Sequence, residues 1–146
     1  MRTLRRIVVM GLMALALPAR AQEEGDPRPA DFDSRPAIDA GDAWLVLVDT
    51  GRYGESWEAA APNFKEAIGR VKWEVAVSEA REKVGTMIKR KLRSAKSTVN
   101  PPNSPPGEYV VIQNDTVFDK RALSTETVTL MKQPDGRWRV AGYFIH

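Results

Sequence analysis

Arg81, Arg90 and Glu126 carry the types and spacing best suited to chemistry in this chain. Glu126 interrupts a run rich in Thr and Val. Arg90 falls on the same alternation as Ile88 and Leu92. If both side chains face inward, they pair across the concave side of a sheet. Such a pair has two uses. It is a structural ion pair, in which removing one partner strands a buried charge. Alternatively, with Tyr53, it lines a pocket for a small polar ligand. Tyr53, Arg90 and Glu126 are therefore the candidate ligand-binding residues.

A catalytic set is harder to assemble. Asp49 and Glu126 are candidate general bases, but the sequence supplies no second partner for either. Ser56 precedes Trp57 within a helical pattern and has no Gly-x-Ser-x-Gly elbow around it. Gly51 to Gly54 lacks the spacing and the Lys of a phosphate loop. Cysteine is absent and the single His is the last residue, His146, so Cys-bound zinc and a His cluster are excluded. We expect no catalytic residue, no metal site and no cofactor.

The basic run Lys89-Arg90-Lys91, with Arg93 and Lys96, reads in two ways. It is a solvated strand face that guards an edge, or it binds an anionic surface. Aromatic residues are missing from it, so a stacking platform for nucleic acid is not indicated.

These residues need elements to position them. Ala37 to Thr50 reads as a helix, with Ala40, Trp44, Leu47, Val48 and Gly51 on one stripe. Asp39 and Asp42 fall in its first turns, where the helix dipole favours acids, and Gly51 is its stop. A second helix runs from Tyr53 to about Ala61 and ends at Pro62. Asn63 is a cap for a short further turn carrying Phe64 and Ile68. The third main helix is Lys72 to Val84, closed by Gly85. Strands follow at Thr86 to Val99, Glu108 to Asp119, Leu123 to Lys132 and Gly136 to His146, with the Pro-rich loop Asn100 to Gly107 between the first two.

In the last strand, Trp138, Val140, Gly142 and Phe144 alternate against Arg139, Ala141, Tyr143 and Ile145. We expect it to be an inner strand on which Trp44, Trp57 and Trp73 pack, with Gly142 at a bend or a close approach. Helices first and strands afterwards give an α+β fold. About three N-terminal helices pack on a curved, four-stranded antiparallel meander of cone-like shape.

The N-terminus reads as a secretory signal over residues 1–21. Arg2, Arg5 and Arg6 precede the apolar run Ile7 to Leu17, and Ala19-Arg20-Ala21 fits cleavage after Ala21. The apolar run is too short for a lasting membrane anchor. Residues 22–36 are acidic, contain Pro27, Pro29 and Pro36, and read as a flexible leader. Residues 37–146 form one domain. The whole chain has 22 Lys+Arg and 19 Asp+Glu; losing the four Arg of the signal leaves 18 against 19, a net charge of −1. Basicity thus gives no support for nucleic-acid binding. An exported domain without disulfides depends on its core alone.

One family shares this set of residues. Trp44-Leu45, Asp49, Tyr53, Ser56, Trp57, Trp73, Arg81, Gly85 and Arg90 belong to it, as do Pro106-Gly107-Glu108-Tyr109, Phe118 and Glu126-Thr127. The closing Trp138-Arg139-Val140-Ala141-Gly142-Tyr143 completes it. Over residues 38–146 the chain resembles the domain of unknown function 4019 family of bacterial exported proteins. That resemblance implies export and no particular activity. The order of elements is also similar to the nuclear transport factor 2-like (cystatin-like) superfold. Gln113-Asn114 departs from the apolar residues expected after Val110-Val111-Ile112, which points to an exposed or pocket-facing side there.

The expectation is a periplasmic or secreted non-catalytic binding or interaction module. Its partner is an unknown small ligand or an envelope protein, and no stable membrane anchor remains after signal cleavage. The alternative is a small-ligand pocket protein or enzyme of the nuclear transport factor 2-like kind.

Overall fold

A computed structural model of the chain describes residues 26–27 and 32–146. The signal at 1–21 and most of the leader at 22–36 lie outside the described residues.

Pro36 suits the first turn of a helix, where no amide donor is required. Helix α1 accordingly starts two residues earlier than the periodicity suggested and spans Arg35–Asp49. That start leaves no acid in its first turn, so Asp39 and Asp42 are not dipole partners there. Its end matches the expectation. Gly51 adopts φ +74. The Arg52 amide donates to the Leu47 carbonyl at 2.8 Å and the Gly51 amide to Val48 at 3.1 Å, a Schellman closure.

Helices α2 (Tyr53–Glu58), α3 (Pro62–Ala67) and α4 (Arg70–Val84) follow. The short turn expected after Pro62 is thus a helix of its own, giving four among the described residues. Its N-cap is Ala61 with Pro62 in the first turn, so Asn63 is not the cap. Gly85 ends α4 at φ +83.

Strands β1 (Asp26–Pro27), β2 (Met87–Val99), β3 (Glu108–Phe118), β4 (Arg121–Lys132) and β5 (Trp138–Ile145) form one sheet in sequence order. Every neighbouring pair is antiparallel. Short hairpins allow this meander. The helices pack on one face of the sheet, as the α+β reading requires.

The inner face carries Val110 and Ile112 from β3, Val128 and Leu130 from β4, and Val140, Tyr143 and Ile145 from β5. Trp44, Leu45, Val48, Phe64, Trp73, Val77 and Val84 of the helices meet them. Rings interlock at the centre. Trp44 lies 5.3 Å from Tyr143 and 5.9 Å from Trp73, and Phe64 packs edge-on to Trp73 at 4.9 Å.

Two expectations about the last strand are corrected. β5 is an edge strand, next to β4 alone. Its free edge is engaged where the Ala61 amide donates to the Val140 carbonyl at 2.8 Å, which answers the aggregation risk of an open apolar edge. The simple alternation also fails. Thr129 pairs with Gly142 but Leu130 with Val140, so Ala141 is an extra, bulged residue. A bulge shifts the alternation by one. Trp138 and Val140 therefore share the inner face with Tyr143 and Ile145, not with Gly142 and Phe144. Tyr143 is the residue on which Trp44 and Trp73 pack, while half-buried Trp138 meets Phe32 at 6.2 Å. Gly142 adjoins the irregularity, but a side chain there would find only ordinary contacts, the nearest at 3.7 Å.

Candidate functional site

Six polar side chains converge where the end of α1 meets the sheet. Asp49 is the last residue of α1, Arg81 lies on α4, Arg90 on β2, Thr116 on β3, Glu126 on β4 and Tyr143 on β5. Alternation explains the strand members. Thr116 keeps step with Ile112, and Glu126 keeps step with Val128 and Leu130. Arg90 is turned inward opposite Thr116, just after an irregularity between Met87 and Lys89. Asn114 also lies on this inner side, opposite Glu126 and buried, so the departure noted at Gln113-Asn114 marks the polar part of the interior.

Glu126 has no exposed surface. Its Oε1 accepts from Arg90 Nε at 2.7 Å and from Thr116 Oγ1 at 2.7 Å. Its Oε2 accepts from the Tyr143 hydroxyl and faces Arg81 Nη1 at 3.9 Å. Asp49 is held by a fork: Arg90 Nη1 donates to Oδ2 at 2.7 Å and Nη2 to Oδ1 at 2.9 Å. Arg81 Nη2 adds a third donor to Oδ1 at 2.9 Å. The Arg81 guanidinium also lies over the Phe118 ring at 4.9 Å, a cation–π contact. Two guanidinium groups thus balance two carboxylates. Burying these charges is tolerable because each oxygen is hydrogen-bonded.

The electrostatics follow from this closure. Burial alone would raise the Asp49 carboxyl. The hydrogen bonds and charge of Arg90, then of Arg81, outweigh it and hold the group below the usual carboxylate range. Burial also works against the charge of Arg90, and its bonds to Asp49 and Glu126 leave it more firmly protonated than an ordinary arginine. Burial, and next to it the charge of Glu126, pushes the Tyr143 hydroxyl well above the ordinary tyrosine value. The cluster therefore holds a protonated phenol, two fixed cations and a firmly ionised Asp49. What this set does well is fasten four strands and two helices together.

Among the ligand candidates, Arg90 and Glu126 are joined directly, whereas Tyr53 stands apart. Tyr53 lines an open groove of about 410 Å³ with Asp49, Arg81, Gly85 and Lys120, which neither Arg90 nor Glu126 lines. Ser56 is a packing hub. It is buried, accepts from Trp73 Nε1 at 2.9 Å through Oγ, and accepts from Trp44 Nε1 at 2.8 Å through its carbonyl. His146 stacks on Phe144 at 6.2 Å and exchanges backbone bonds with Thr125. In the basic run only Arg90 turns inward; Lys89, Lys91, Arg93 and Lys96 are exposed.

Sequence reasoning missed Tyr143 and Thr116 and saw Asp49 only as a lone base. The bulge at Ala141 puts Tyr143 on the inner face: Gly142 marks a bend there, but not that the alternation shifts by one residue. Asp49 carried a usable signal: an acid at the end of a helix, where the dipole disfavours it, needs a cationic partner.

Among the described residues, no helix is long and apolar enough to cross a membrane. No curated protein matches the chain. A family model described as "Protein of unknown function (DUF4019)" matches residues 40–143, and the chain belongs to that family.

Proposed function

We propose that the chain is an exported, non-catalytic binding or interaction module of the cell envelope. One observation carries the reading. In the cluster of ionisable groups described above, both oxygens of Asp49 and of Glu126 already accept from protein donors. Such a cluster serves stability and geometry, which leaves recognition to the surface. The N-terminal pattern at 1–21 supports export.

A direct test uses the full chain expressed in a bacterial host. Its N-terminus in the envelope fraction is expected to be Gln22, and the purified protein is expected to sediment saturably with isolated envelope. Retention of residues 1–21 in the cytoplasm, or no saturable sedimentation, would contradict the reading.

The groove beside Tyr53 favours a second reading, a small polar ligand held near Asp49 and Arg81. The nuclear transport factor 2-like order of elements is consistent with a pocket at this end. In this case Tyr53→Ala would abolish ligand-induced thermal stabilisation while leaving sedimentation with envelope intact.

A further inference from the structure

We infer that the outer face of the β2–β3–β4 end docks onto an anionic phospholipid surface. This inference rests on the envelope-binding reading and names its partner.

Strand β2 carries Lys89, Arg90, Lys91, Arg93 and Lys96 with no acid among them. Asp49 and Glu126 draw Arg90 inward, so the alternate positions must face out. There Lys89, Lys91 and Arg93 share a groove of about 520 Å³ with Arg121, Val117 and Leu123. Leu123 is 89% exposed. Asp115 also lines the groove but is paired with Arg93, so Lys89, Lys91 and Arg121 supply the excess positive charge.

A single exposed Leu is ordinary on a protein surface. Leu123, however, lies with Val117 among Lys89, Lys91 and Arg121. An apolar tip framed by cations is the pattern of a side chain that enters a membrane interface. Charge complementarity selects an anion as the partner. The apolar tip selects an anion with hydrocarbon beneath it, which is a phospholipid interface. A soluble polyanion would use the cations and leave Leu123 in water.

The chain lacks cysteine, so Leu123→Cys offers one attachment point for an environment-sensitive fluorophore on the full chain. Glu79→Cys, exposed on α4, gives a reference label. With phosphatidylglycerol/phosphatidylcholine vesicles, the label at 123 is expected to shift to the blue and the one at 79 to stay unchanged. Phosphatidylcholine alone should give no shift, and added salt should reverse it. Lys89→Gln with Lys91→Gln should weaken partitioning by about tenfold or more.

No shift at 123 with phosphatidylglycerol would overturn the inference, as would an equal shift at 79. Binding unchanged by the two Lys substitutions would overturn the inference as well. An equal blue shift with polyphosphate would assign the face to a soluble polyanion. If any of these occurs while sedimentation with envelope persists, the docking surface is wrong and the broader reading stands. If sedimentation is also lost, both fail.

Discussion

Arg90 grips Asp49 with both terminal nitrogens, at 2.7 and 2.9 Å, and so ties the end of α1 to β2. The same guanidinium reaches Glu126 through Nε at 2.7 Å. One side chain therefore joins the helical layer to two strands. The cluster works as a fastening because removing any member leaves its partner charged and buried.

Glu126→Gln tests that view on the sheet side. It leaves Arg90 and Arg81 with one carboxylate between them. Breaking a buried ionic pair costs about 3–5 kcal/mol, and urea unfolding measures it. A loss below about 1 kcal/mol, typical of an exposed pair, would show that Glu126 is not held as described.

Tyr143→Phe removes one hydroxyl and keeps the ring that Trp44 and Trp73 pack on. A carboxylate oxygen loses a donor, at about 1–3 kcal/mol. Near-UV circular dichroism should stay close to that of the parent. A collapsed near-UV signal would mean that the hydroxyl positions the ring itself.

Acid and alkali should act on different members. The folded-state pKa of Asp49 is depressed. Its contribution is complete above the unfolded carboxyl value near about 4 and is lost as pH falls through the lower folded value. Tyr143 is an acid whose folded pKa is raised. The unfolded chain releases that proton above about 10 while the folded one retains it, so stability falls as pH rises beyond that point. Urea midpoints across pH should show both limbs. Asp49→Asn should flatten the acid limb and Tyr143→Phe the alkaline one.

Gly85 connects α4 to β2 at φ +83 and ψ −159, a conformation close to glycine-only. An added Cβ would also stand 1.6 Å from Asp119 Oδ1, the acceptor for the Thr86 amide at 2.8 Å. Gly85→Ala should cost at least about 1–3 kcal/mol from backbone strain alone. A melting temperature unchanged from the parent would contradict this account of the junction.

Much of this is legible in the sequence. Gly51 and Gly85 ended α1 and α4 as their conformational freedom allows, and the Pro-rich loop separated β2 from β3. Arg90 and Glu126 pair in the sequence reading because Glu126 interrupts a Thr/Val-rich strand and Arg90 keeps step with Ile88 and Leu92. The rest depended on information that local sequence does not carry. The bulge at Ala141 reversed the face of Tyr143; Gly142 marks the bend, but the extra residue that shifts the alternation is set by the pairing with β4. Pro36 drew the start of α1 earlier than its apolar stripe suggested. Asp49 met its partners across 32 and 41 residues of chain, a closure that only the packed layers bring about.

The most direct measurement is a double-mutant cycle on Asp49→Asn and Arg90→Gln, read by urea unfolding. If the pair fastens α1 to the sheet, each single change destabilises and the pair couples by about 1–3 kcal/mol. Effects that add to within about 0.5 kcal/mol would show that the two side chains do not stabilise each other, and the fastening would have to be abandoned.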